Sequence, residues 1–148
     1  MPIALTRSVP TRIVDCELTH LERVPIDYAR AREQHDVYEK SLEEAGCAVQ
    51  PLMALPDSPD SVFVEDTAVV LEQLAIIARP GAASRRGEVA SAADALQRYR
   101  PVAFIEEPGT LDGGDVLRIG SRIYVGDSGR TNAEGIRQLS DFTAACGY

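Results

Sequence analysis

The acidic residues with the most chemical interest fall in two short loops. The stretch PDSVFVEDTAVV, residues 59–70, sets Glu65 and Asp66 side by side between a strand-like run and a second apolar run, and the later stretch LDGGD supplies Asp112 and Asp115. An isolated acidic pair ordinarily ends a strand and turns into solvent, because Asp and Glu are disfavoured inside strands. Carboxylates gathered at one centre are a different case, since they repel one another unless a cation neutralises them. Their oxygens suit magnesium or calcium, but no spacing here matches a calcium-binding loop. The other candidate is a guanidinium, which is planar, permanently charged and suited to bidentate pairing with carboxylates. Arg85 and Arg130 occupy matching places ahead of two helices. Each reads either as a solvated arginine in an ordinary ion pair or as a capture point for a substrate carboxylate. Acids at one end and arginines at the other would fit arginine or an analogue, head and tail. Cys16, Cys47 and Cys146 are odd in number and widely spaced, matching neither a disulfide framework nor a zinc pattern. Any could be a nucleophile, and Cys16 has His20 close by, but a free Cys is more often a small buried hydrophobe.

Strand-like and helix-like periodicities alternate along the chain. A strand is expected over 2–7, then a long loop over 8–26, then a helix capped by Asp27 and running to about Ala45 with Tyr38, Leu42 and Ala45 on one face and Gly46 as C-cap. A connection of that length is usually a lid or a binding loop. Next come a strand over 48–53, a hairpin over 68–71 and 74–78, and a helix over about 84–99. The order recurs with a strand over 102–105, strands over 116–119 and 123–125, and a helix from Thr131, where TNAE reads as a capping box of Thr131 and Glu134. Aligning the two hairpin regions sets Asp66 against Asp115, forty-nine positions apart. A repeat of that period signals stacked or radial modules, none of which buries its own apolar face alone. The expected architecture is α/β and radial, with equivalent loops, and so Glu65, Asp66, Asp112 and Asp115, converging on an axis.

Composition narrows the partners. The 148 residues, 45% apolar and 26% charged, suit one ordered domain. With 23 acids against 15 bases the net charge is -8, which repels phosphate backbones, so nucleic acid is not an expected partner. No apolar run approaches the length of a membrane span, and the start lacks the pattern of a signal peptide, so a cytoplasmic location is expected and no membrane partner.

The motifs PDSVFVED, RPGAASRRGE, LDGGD and GRTNAEG, in that order, resemble those of dimethylarginine dimethylaminohydrolase, and with HL and DYARAREQH upstream they span nearly the whole chain. The resemblance implies a member of the guanidino-group-modifying superfamily, an α/β propeller of five helix-strand-strand-strand modules. This chain would be its N-terminal part, about three modules near 1–54, 55–106 and 107–148. It further implies that Asp66 and Asp112 hold the substrate guanidinium with Glu65 beside them, while Asp60 and Phe63 line the pocket. Leu18 would sit on the lid, Arg85 and Arg130 would grip the α-carboxylate, and Asp112 would also orient a catalytic histidine. The family's chemistry is attack of a cysteine thiolate on the guanidinium carbon, loss of an alkylamine, and hydrolysis of the thiouronium to citrulline, with no metal and no cofactor. In the family the histidine and cysteine lie in later modules; His20, His35, Cys16, Cys47 and Cys146 match neither. The chain alone is therefore expected to be inactive, with a methylated arginine or arginine analogue as small-molecule partner and homo-oligomerisation a possibility. The same features leave open an arginine deiminase or amidinotransferase of the superfamily, or a non-catalytic arginine-binding fragment.

Overall fold

The computed structural model describes residues 1–18 and 21–148, which divide into two units, Met1–Val64 and Glu65–Tyr148. His20 lies outside the described residues.

The first unit is a strand-helix-strand crossover. β1 (Ile3–Thr6) and β2 (Ala48–Pro51) pair in parallel, Ile3 opposite Ala48 and Thr6 opposite Pro51, with α1 (Tyr28–Glu44) between them in sequence. Asp27 caps α1 by accepting a hydrogen bond from the Arg30 N–H at 3.1 Å, and the helix ends ahead of Gly46, whose φ of +88° suits a residue without Cβ. The inward face differs from the expected one. Tyr28, Ala31, His35, Glu39 and Leu42 are the half-buried positions, whereas Tyr38 is 55% exposed and Ala45 is also exposed. No residue of α1 is fully buried, so packing did not select a strong apolar stripe from which the face could be read. The loop after β1 is better built than a structureless connection: it contains a 3-10 turn, Ile13–Asp15, and buries Val9, Ile13 and Cys16.

The second unit holds the repeat. β3 (Ala68–Val70) and β4 (Ala75–Ile77) form an antiparallel hairpin, and β5 (Val102–Phe104) returns parallel to β4 after α2 (Val89–Leu96). β6 (Val116–Ile119) and β7 (Arg122–Val125) form the second hairpin, followed by α3 (Ala133–Ala144). The first copy is thus hairpin, helix, parallel strand, and the second is hairpin, helix. β1, α1 and β2 repeat the strand-helix-strand part alone. The helix expected over about 84–99 is instead a 3-10 segment, Ala83–Glu88, running into the shorter α2, so Arg85 sits inside a helical turn. Val69, Leu71, Ile76, Ile105, Leu111 and Leu139 make the apolar core, with Val116, Ile123, Val125 and Phe142 packed against it.

The start of α3 also departs from expectation. Asn132, not Thr131, is the N-cap, accepting from the Gly135 N–H at 2.8 Å, and Glu134 pairs with Arg137 instead of reaching back. Thr131 is fully buried and serves the loop packed against it. Asn132 ties the helix to that loop as well: its Oδ1 accepts from the Thr110 N–H at 2.9 Å and its amide donates to the Pro108 carbonyl at 2.9 Å. Gly135 completes the contact, since an added Cβ would fall 1.9 Å from the Thr110 carbonyl oxygen. The first turn of α3 therefore fixes residues 108–112, and with them Asp112.

Candidate functional site

Asp66 and Asp112 are neighbours in the second unit because their backbones are pressed together. A Cβ on Gly113 would lie 2.1 Å from the Glu65 carbonyl oxygen, so only glycine allows the two acidic loops this approach. Asp112 is 4% exposed; its N–H donates to Thr131 Oγ1 at 3.0 Å, and its Oδ1 accepts from the Gly114 N–H at 2.9 Å. Its carboxyl lies beside that of Asp66, whose negative charge disfavours a second ionised acid there. Burial, opposed by the Gly114 N–H and Arg130 but aided by the Asp66 charge, pushes Asp112 up to about 6.

Each acid has its own arginine. Arg130 Nε lies 3.2 Å from Asp112 Oδ2, and its side chain is 49% exposed. Arg85 is its opposite in setting. Its side chain is 8% exposed, Nη1 donates to Asp66 Oδ2 at 2.6 Å, and Nε and Nη2 both donate to Glu88 Oε2, at 3.2 and 2.9 Å. Burial alone would lower the Arg85 pKa, but Glu88 and Asp66 outweigh it and hold the guanidinium charged. The two arginines that the repeat aligns thus differ: one is enclosed by carboxylates of its own unit and the other faces solvent. The loops that carry them still converge, since a Cβ on Gly81 would meet the Arg130 Cα at 2.8 Å.

Asp115, aligned with Asp66 by the repeat, does not join the central pair. Its Oδ2 accepts from Ser128 Oγ at 2.7 Å and Thr131 Oγ1 at 2.6 Å, which fastens the loop before α3. Glu65 is exposed beside Asp66.

Asp60, Phe63 and Leu18 belong to the first unit. Asp60 is 6% exposed and both its carboxylate oxygens accept from the Glu17 N–H, at 3.2 and 3.1 Å, so it anchors the loop next to Leu18. Leu18 is 38% and Phe63 41% exposed. Arg7, fully buried, supports this segment by donating to the Ser61 carbonyl at 3.1 Å. Glu88 and Arg7 were not singled out from sequence, and Thr131 was read only as a helix cap. Glu88 was the most legible of the three, standing three residues after Arg85, one helical turn.

No family model matches the chain. Its α/β fold is shared with solved structures of arginine-processing enzymes. The N-terminal domain of ArgZ, an arginine dihydrolase from cyanobacteria, superposes with a TM-score of 0.83 over 95% of this chain and 54% of that one, a likeness of fold at 20% identity. Within that fold the chain is a relative of the dimethylarginine dimethylaminohydrolases. The protein of that name from Streptomyces coelicolor is 48% identical over 137 residues, 92% of this chain and 53% of its own length. A crystal structure of a dimethylarginine dimethylaminohydrolase adduct with S-methyl-L-thiocitrulline superposes with a TM-score of 0.90 at 40% identity, over 95% of this chain and 56% of that one. The chain spans about half the length of the curated relatives it matches. Among the described residues no helix is long and apolar enough to cross a membrane.

Proposed function

We propose that this chain carries the guanidinium-recognition part of a hydrolase acting on methylated arginine, which yields citrulline and an alkylamine. The observation that carries the reading is the Asp66–Asp112 pair, two carboxyl groups brought together where two repeat loops meet, with Asp112 buried. A guanidinium supplies the positive charge that favours both carboxylates in their ionised form. The two acids would grip the substrate's guanidinium with Glu65 beside them and Arg130 would take its α-carboxylate; for Asp60, Phe63 and Leu18, in the other unit, a part in substrate binding rests on the resemblance alone. Arg85 takes part by one of two routes. Either it contacts the α-carboxylate with Nη1 swung from Asp66, or it stays in place and holds Asp66 ionised; its enclosure by Glu88 favours the second.

The bond-breaking step is nucleophilic. A thiolate adds to the guanidinium carbon, the alkylamine leaves carrying a proton supplied by a histidine, and water then hydrolyses the thiouronium to citrulline and frees the thiolate. Asp112 would orient that histidine. Cys146 packs on the apolar core and Cys16 is buried in the first unit, so neither is offered as nucleophile. The thiolate and the histidine are proposed to come from outside these 148 residues. The reading includes no metal or other cofactor in the reaction. The experiment is citrulline formation from asymmetric dimethylarginine and from free arginine by the protein as encoded, with Asp66→Asn and Asp112→Asn beside it. Preference for the methylated substrate, lost in both variants, supports the reading; preference for free arginine would move it to a deiminase, and activity indifferent to both variants would remove the site.

A further inference from the structure

A second cluster of ligand-type side chains lies in the first unit, apart from any residue invoked above. Of the five half-buried positions on α1, two are His35 and Glu39, one turn apart, where a helix packed on strands would ordinarily place apolar residues. His35 Nδ1 and Glu39 Oε1 are 3.8 Å apart, too far for a hydrogen bond, and their side chains are 12% and 26% exposed. One ligand atom each from His35, Asp36 and Glu39 lies within 4.8 Å of the others. The three line a cavity of about 160 Å³ together with Arg32, with Ser8 and Val9 from beyond the end of β1, and with Pro51 at the end of β2. Buried Thr6 donates its hydroxyl to Glu39 Oε1 at 2.6 Å, which orients that carboxylate from the strand side as outer partners of metal ligands do.

We propose that His35, Asp36 and Glu39 form a binding site for one divalent transition-metal ion of the zinc type. An imidazole with two carboxylates matches that class, whereas magnesium and calcium take oxygen ligands alone. Two donors about 2.1 Å from a tetrahedral ion sit roughly 3.4 Å apart, so the His35–Glu39 pair needs to close by only a few tenths of an ångström. Water would complete the shell in a cavity of this size. Two carboxylates outweigh the single positive charge of Arg32, whose guanidinium carbon lies 5.9 Å from the centre of the Tyr28 ring. A bound ion would sit between α1, which supplies all three ligands, and the ends of β1 and β2, at the root of the loop that carries Leu18. This inference is independent of the proposed reaction.

The test is calorimetric titration of the metal-free chain with zinc chloride, followed by cobalt(II) titration watched in the visible and near ultraviolet. One ion per chain with a micromolar Kd is expected, weakened at least ten-fold by His35→Ala and by Glu39→Gln and about ten-fold by Thr6→Val. A triple Cys16→Ser, Cys47→Ser, Cys146→Ser variant should bind as the parent does. Circular dichroism identifies any variant that fails to fold, and Asp36→Asn, at an exposed position, then serves in its place. Absence of binding, affinity unchanged in the His35 and Glu39 variants, or a thiolate-to-cobalt charge-transfer band would overturn the proposal.

Discussion

Asp112 sets the chemistry of the site, because burial and the neighbouring Asp66 raise its pKa from 3.8 to about 6. Between those values the folded chain holds a proton that the unfolded chain has released, so stability falls as pH rises from about 4 to about 6. Asp112→Asn should flatten that slope in denaturant titrations across the window; an unchanged slope would show that Asp112 is not raised. The two arginines separate as sharply. Arg85→Met leaves Asp66 and Glu88 uncompensated in a buried setting and should cost about 3–5 kcal/mol, whereas Arg130→Met, at a half-exposed pair, should cost less than about 1 kcal/mol. Equal losses in thermal or urea unfolding would contradict the enclosure of Arg85. The repeat assigns both arginines one role because it aligns them; the difference comes from Glu88, whose carboxylate reaches Arg85 across one turn of the 3-10 segment.

At the scale of elements, α3 works as the clamp on the acidic loop. Gly135→Ala drives a methyl group into the Thr110 carbonyl and should cost about 1–3 kcal/mol as α3 or the loop shifts. Asn132→Ala removes a cap and two loop anchors and should cost about 1–3 kcal/mol, more than an isolated cap is worth. Both variants should also displace the Asp112 resonances in carboxyl NMR spectra, which loss of a simple helix cap would not. Element order was legible from the alternation of period, since apolar runs of three to five residues separated by Gly and Asp leave little but short strands. The cap was not. Thr131 and Asn132 are both good N-caps, and what decides between them is that Asp115 and the Asp112 N–H claim the Thr131 hydroxyl, a tertiary contact that no local pattern records. The face of α1 was likewise illegible, because its inward side includes His35 and Glu39 while its exposed side includes Val37 and Tyr38.

For the whole molecule, the β6–β7 hairpin leaves Leu117, Ile119 and Tyr124 half or more exposed, with Leu117 opposite Tyr124 on one face. An apolar strand face of this kind drives association. Light scattering on the purified chain should therefore give a mass above one chain, and Leu117→Lys with Ile119→Lys should return it to a monomer; a monomeric parent would refute this. The repeat made the gathering of Asp66 and Asp112 foreseeable, because equivalent loops of stacked modules meet, but it could not foresee that Asp115 would be spent on Ser128 and Thr131. The claim on which the account turns is that the Asp66–Asp112 pair receives a guanidinium. Carboxyl-detected NMR of the chain, with Asp112 titrated against pH in the presence and absence of dimethylarginine, measures it directly. The account predicts a midpoint near 6 without ligand that moves to lower pH as dimethylarginine is added, since a guanidinium favours the doubly ionised pair; a midpoint that stays put at tens of millimolar ligand would contradict it.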